Sequence, residues 1–196
     1  SGDSALAFTS DLTDLESERM KADAVTAVEE FRAVFPPLPR SWSMVWEPTI
    51  AARFGAGAVT VKGKPDLVLG RPHPHERRML LADLKTGSRS GKDRADMRIY
   101  ALLATLKYGQ APFRVATVYI DEGAFEHEDV TDDVLEAAAR MLAERLNTAL
   151  RLTDRPEAVH LAAGPACRWC GLAPTCPEKQ RWDDERADTA ADVLPF

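Results

Sequence analysis

The sequence predicts an α/β domain, and three observations predict it. Apolar residues recur with a helical period in some stretches and a strand period in others, in the order helix, three strands, helix, strand, helix. Hydrophobic residues make up 45% and charged residues 29% of 196 positions, which is enough apolar chain for one core and a small appendage. A Pro-, Gly- and Cys-rich tail follows the last helix.

Residues 15–34 carry apolar side chains at Met20, Val25, Val28, Phe31 and Val34, near helical spacing. Phe35-Pro-Pro-Leu-Pro ends that helix, because proline disfavours a helical conformation in the residue before it. A strand is expected around Met44 to Phe54. Gly55-Ala-Gly57 makes a turn, and Val59 to Leu69 reads as the hairpin partner. Gly70-Arg-Pro-His-Pro-His is a loop, and its His73 and His75 read as solvent-exposed. Arg78 to Lys85 has an apolar middle and is expected at the centre of a sheet. Thr86 to Gly91 is a link. Asp93 to Tyr108 reads as a helix with Ile99, Leu102, Leu103 and Leu106 on one side. Arg114 to Asp121 is a fourth strand. Asp132 to Leu152 is the longest helix, its buried side traced by Val134, Ala138, Met141, Leu142, Arg145 and Ala149. The stretch from His160 to Glu178 shows no helical period, and the last residues read as frayed. The expected divisions are a core over 1–158, a Cys-rich tail over 159–182 and a flexible end over 183–196.

The longest apolar runs, Met79 to Ala82 and Ala101 to Leu106, are too short to span a bilayer. With no secretory leader in view, the expected location is cytoplasmic. The chain opens Ser1-Gly-Asp-Ser without Met, as a piece of a longer protein would. Net charge is −6. Its distribution is uneven: residues 60–114 hold twelve Lys/Arg against five Asp/Glu, a surplus of +7, while the remainder holds thirteen against twenty-six. Such a basic island either attracts an anionic polymer or is an ordinary solvated face.

The chemistry concentrates in Gly63-Lys-Pro-Asp66-Leu-Val-Leu-Gly70 and Leu80-Leu-Ala-Asp83-Leu-Lys85. Residues two apart in a strand share a face. Asp83 and Lys85 therefore project together, with Leu84 on the apolar side. Charges in hydrophobic strands require partners. One solution is a divalent cation held by Asp66 and Asp83, hard oxygen donors suited to Mg²⁺ or Mn²⁺, with the Leu84 carbonyl as a further ligand and Lys85 orienting a water. The plainer alternative is an Asp83–Lys85 ion pair beside a turn aspartate. Glu47, an acid in an apolar strand, either supports the metal or pairs with a basic residue.

Pro65-Asp66 followed seventeen residues later by Asp83-Leu-Lys85 resembles the PD-(D/E)XK nuclease signature. Gly63-Lys-Pro-Asp66 is similar to the G-(R/K)-x-D strand of the RecB/AddB-like exonuclease branch. Asp93-Arg-Ala-Asp-Met-Arg-Ile-Tyr100 resembles that branch's helix motif Gln-x-x-x-Tyr, with Asp96 at the Gln position and Tyr100 retained. The resemblance implies a restriction-endonuclease-like core and metal-dependent hydrolysis of DNA, at single strands or duplex ends. It implies repair, recombination or defence, and a helicase or repair-complex partner. It also implies an acid from the first helix, for which Glu30 is preferred over Glu29. Arg89, Lys92, Arg94 and Arg98 follow the presumed metal site, where a strand would pass, and are candidate phosphate contacts. The competing expectation is a nuclease fold that binds nucleic acid or a partner without cutting.

Cys167-Arg-Trp-Cys170-Gly-Leu-Ala-Pro-Thr-Cys176 has the spacing C-x2-C-x5-C, suited to gripping a soft metal. Three cysteines within ten residues make a poor disulfide framework. In the RecB/AddB-like branch such a trio holds a four-iron four-sulfur cluster with a further N-terminal Cys, which this chain lacks. The alternatives are a fourth cysteine lying outside this sequence, a cluster with a non-Cys fourth ligand, or zinc completed by His160.

Overall fold

A computed structural model describes residues 12–34, 37–86 and 89–191. The elements are α1 (Asp14–Val34), β1 (Val45–Trp46), β2 (Ile50–Phe54), β3 (Val59–Gly63), β4 (Leu67–Leu69), β5 (Leu80–Lys85), α2 (Gly91–Tyr108), β6 (Arg114–Tyr119), β7 (Ala124–Asp129), α3 (Asp132–Asp154) and α4 (Pro177–Ala191). The chain divides into two compact units inside α3, between Glu144 and Arg145.

In the first unit a five-stranded sheet has the order β1-β4-β5-β6-β7, with β5 central as its apolar middle predicts. Only β5 and β6 run parallel, joined by α2; the other pairings are antiparallel. The hairpin expected over residues 44–69 is present, but it is bent between two sheets. Val45 pairs with Val68 and Trp46 with Leu67 in the large sheet. Ile50 pairs with Gly63, and Phe54 with Val59, in a separate two-stranded sheet. The register is continuous across the gap, and the Glu47 amide donates to the Asp66 carbonyl (2.8 Å). Pro48 and Pro65 lie in that gap and have no N–H to offer a ladder. Glu47 takes a left-handed conformation there (φ 47°). The bend thus lies immediately before Asp66.

Strand alternation separates two apolar layers. On one face Val68, Met79, Leu81 and Val115 pack with Met97, Ala101, Leu103 and Ala104 of α2, and with Ile50 and Val61 of the bent hairpin. On the other, Leu67, Leu69, Ala82, Ala116 and Val118 pack with Phe31 of α1 and with Leu84. Helix α2 begins on a capping box: the Ser90 hydroxyl accepts from the Lys92 amide and the Asp93 carboxylate accepts from the Ser90 amide. Its buried side is Met97, Ala101, Leu102, Leu103 and Ala104; Leu106, expected inside, is half exposed.

Two elements escaped the sequence reading. Strand β7 is largely exposed and rich in acids, so it lacks the apolar alternation that marks a half-buried strand. Residues 177–191, expected to be irregular and then frayed, form α4; its Lys179–Asp183 and Arg181–Glu178 pairs lie on neighbouring turns. Within α3 only Ala138 and Leu142 are buried, and Arg145 and Ala149 are exposed. Among the described residues no helix is long and apolar enough to cross a membrane.

Candidate active site

The centre of the site is the junction of β4 and β5. Leu67 pairs with Ala82, so the antiparallel register brings Asp66 opposite Asp83 on the face that α2 covers. The Asp66 carboxylate accepts from the Leu84 amide (2.7 Å). Lys85, two residues beyond Asp83, places its ammonium 2.6 Å from the Asp83 carboxylate. Asp83 is buried, with 6% of the residue exposed. Burial pushes its pKa up; the Lys85 ammonium opposes this, and the charges of Asp66 and Asp96 add to the rise. The Lys85 pKa is also raised, chiefly by its hydrogen bond to Asp83 and further by the charge of Asp93.

Tyr100 of α2 faces the same centre. Burial raises its pKa, and the charges of Asp83, Asp96 and Asp66 raise it further while Lys85 lowers it. A Cβ built on Gly63 would lie 2.7 Å from the Tyr100 ring. Glycine at the end of β3 is therefore the residue that lets this ring approach. Asp93 is buried beside the site and accepts from the Tyr119 hydroxyl (3.0 Å) as well as from the Ser90 amide. Burial and that hydrogen bond hold the Tyr119 pKa up at about 12. Tyr119 is the register partner of Lys85, so Asp93 fixes the start of α2 against the strand beside the ammonium.

Two opposed carboxylates and an ammonium thus lie together at the end of a central strand, beneath a helix bearing Tyr100. A family model of the PD-(D/E)XK nuclease superfamily matches residues 5–177. The chain belongs to the PD-(D/E)XK nuclease superfamily. No curated protein matches the sequence. The crystal structure of SSO0001 is similar over 80% of this chain and 69% of that one, with 16% identity and a TM-score of 0.45, a likeness too distant to carry an inference.

For a PD-(D/E)XK chain the remaining predicted residues divide sharply. Glu47 is exposed and paired with Lys64; pairing with a basic residue is one of its two expected roles. Glu30 is half-buried on α1 beside Phe31, which packs on the sheet face opposite Asp83. Among the described residues no group of three His, Cys, Asp or Glu side chains is gathered to hold a metal. That applies to Asp66 and Asp83 with either Glu30 or Glu47, and equally to the cysteines.

The arginines expected to meet phosphate meet glutamates of β7 or the turn before it. Arg89 bonds Glu122 (2.7 Å) and Glu126 (2.5 Å). Arg98 holds Glu128 through two bonds of 2.7 and 2.6 Å, and Arg94 joins the same carboxylate. Those contacts pull the Glu128 pKa down to about 2, the Arg98 hydrogen bond contributing most. The Lys92 side chain has no such acid partner among the described residues. In the second unit Cys167, Cys170 and Cys176 are free thiols spread over short turns at Pro165–Trp169 and Ala173–Thr175 and the start of α4. Cys170 is exposed, and the Cys167 sulfur accepts from the Gly164 amide (3.4 Å).

The sequence also carries signals for Asp93, Glu126 and Glu128. Ser90-x-x-Asp93 is a capping signature, and an acid in such a box that is also buried has a second partner. The Glu126-x-Glu128 alternation places both acids on one side of a strand, which fits them to a row of cations.

Proposed function

We propose that the chain is a metal-dependent deoxyribonuclease of the RecB-like exonuclease type, acting on single strands or duplex ends in DNA repair, recombination or defence. The observation that carries this reading is the opposition of Asp66 and Asp83 with the Lys85 ammonium 2.6 Å from Asp83. Two or more acids face one ammonium, and the more buried acid is already disfavoured as an anion. Such a donor set fits Mg²⁺ or Mn²⁺. Mg²⁺ commonly uses only one or two protein carboxylates, with water and substrate phosphate completing its shell, so a third acidic ligand is not required.

When bound, the cation lowers the pKa of a water and stabilises charge on a phosphoryl oxygen. In this reading Asp66 and Asp83 orient the ion, and Asp66 is itself fixed by the Leu84 amide. Lys85 holds the attacking water and the developing negative charge. Tyr100 bounds the site on the helix side. The Leu84 carbonyl is a further oxygen donor, and Glu30 is the first-helix candidate.

The test is degradation of end-labelled single- and double-stranded DNA with Mg²⁺ or Mn²⁺ against EDTA. Metal-dependent loss of label with the wild type, absent for Asp83→Ala, supports the reading. Equal cleavage by both proteins would falsify it. A second reading, a nuclease-fold module that binds without cutting, draws support from the engagement of Arg89, Arg94 and Arg98 by acids. DNA binding indifferent to EDTA, with no turnover, selects it.

For the tail, the C-x2-C-x5-C spacing and three unbridged thiols support a four-iron four-sulfur cluster, or zinc with His160. As arranged, the thiols do not form a ligand set, so no catalytic step is assigned to them. Iron and sulfide analysis of anaerobically purified protein, with Cys170→Ser as control, decides between cluster, zinc and free thiols. The resemblance also supports a helicase or repair-complex partner.

A further inference from the structure

The first unit has a cleft at the end of β4 and β5 away from Asp66 and Asp83. It has a volume of about 690 Å³ and is lined by Trp42, Leu69, Arg71, His73, Leu80 and Phe113, among others. That volume falls in the range of small-molecule sites. Arg78 at its rim precedes Asp83 by five residues, about 17 Å of extended strand. Leu69 and Leu80 belong to the sheet face opposite Asp83. The cleft is therefore separate from the catalytic pair.

Its shape is built into the backbone. The Gly70 amide donates to the Trp42 carbonyl (2.6 Å), tying one wall to the floor. Gly70 has φ +86°, and a Cβ there would fall 1.9 Å from the Arg78 carbonyl oxygen. Only glycine permits that approach.

The lining combines two chemistries. Trp42 and Phe113 leave 47% and 40% of their surface outside the core, beside the apolar Leu69 and Leu80. The cations are Arg71 and Arg78. Arg78 is neutralised by Glu76 (2.6 Å), whereas Arg71 is exposed and has no acid partner among the described residues. An inorganic anion would leave the rings unused, and an uncharged aromatic would leave Arg71 unused. A planar ring carrying a phosphate uses both, since bases stack on aromatic faces and guanidinium groups bind phosphate.

We propose that this cleft binds a nucleoside phosphate, its base against Trp42 and Phe113 and its phosphate on Arg71. The source is either a free nucleotide or the phosphorylated end of a strand. The proposal goes beyond nuclease activity and does not depend on it.

The experiment is calorimetric titration of the full chain in EDTA. The probes are deoxyadenosine monophosphate, deoxyadenosine, inorganic phosphate and a 5′-phosphorylated tetradeoxyadenylate. The monophosphate is expected to bind saturably at one site, with the nucleoside and inorganic phosphate each at least about tenfold weaker. Arg71→Ala and Trp42→Ala should each weaken binding about tenfold, Trp42→Phe should largely restore it, and Asp83→Ala should leave it unchanged. Arg71 is exposed, so its variant is expected to fold normally, with melting temperature as the check. Tighter binding of the tetranucleotide identifies a strand end; equal or weaker binding identifies the free nucleotide. No saturable binding of either, or binding unaffected by Arg71→Ala, overturns the proposal. Binding lost in Asp83→Ala but kept in Arg71→Ala also overturns it, by placing the ligand at the catalytic pair.

Discussion

Two charge clusters lie on neighbouring parts of the first unit, and they are balanced in opposite ways. Around Asp83 several acids face a single ammonium, and burial makes the deficit of positive charge expensive. Around Glu128 the charges match: Arg94 and Arg98 converge on it, and Arg89 takes Glu122 and Glu126. A cluster that satisfies itself has little need of a ligand. One left with surplus charge attracts a counter-ion from solution. The difference teaches that the charge a folded surface offers is what remains after pairing, rather than what a stretch of sequence contains.

The largest expected effect tests the unbalanced cluster. Asp83→Ala and Lys85→Ala should each lower cleavage a hundredfold or more, the scale of removing a group that acts in the transition state. Cleavage assays at saturating Mn²⁺ check this, and retention of activity by either variant removes the asymmetry between the clusters.

The second prediction breaks the balanced cluster. Glu128→Gln should destabilise the fold by about 2 kcal/mol, because Arg98 is left partly buried without its carboxylate. It should also tighten DNA binding at low salt by releasing two guanidinium groups. Denaturant unfolding and a salt-dependent binding isotherm measure the two effects. The pH dependence has a definite sign. The Glu128 pKa is depressed from 4.5 to about 2 in the folded state, so its stabilisation is complete above pH 4.5 and is lost as pH falls toward 2. Acid unfolding curves of the wild type should be steeper in that window than those of Glu128→Gln.

A smaller effect sharpens the comparison from the catalytic side. Gly63→Ala forces a Cβ against the Tyr100 ring. It should cost roughly 1–2 kcal/mol of stability and lower cleavage more than it weakens DNA binding. The smallest effect is on the cap beside Asp93: Ser90→Ala should destabilise by about 1 kcal/mol, read as a shift in melting temperature with cleavage largely retained.

Much of the fold was legible because local and global signals agreed. The hairpin tip at Gly55-Ala-Gly57, the central apolar strand 80–85 and the helix ending at Tyr108 each combine a period with a stop signal. Asp66, Asp83 and Lys85 were legible because charge interrupts otherwise apolar strands. Strand β7 was not, since an exposed edge strand carries no apolar alternation. With it went the acid partners of Arg89, Arg94 and Arg98, which lie on β7 and the turn before it. Residues 60–114 hold a surplus of +7, and residues 122–129, which supply Glu122, Glu126, Glu128 and Asp129, offset four of those charges once folded. The bend between Glu47 and Asp66 was hidden for another reason. Pro48 and Pro65 announce a break in hydrogen bonding but say nothing of how the two halves of a hairpin part.

The unbroken register of that bent hairpin has a consequence for how the chain tolerates length changes. Extra residues inserted at the tip, between Phe54 and Val59, lengthen a loop and cost little, about 0.6 kcal/mol for each doubling. A single residue added or deleted between Val59 and Pro65 is a different event. It would either break the pairing with residues 47–54 or rotate the following strand by half a turn, moving the carboxylate at 66 from the helix-covered face to the face lined by Phe31. Natural variation in loop size is thus expected at the tip, with strict parity along the arm leading to the aspartate.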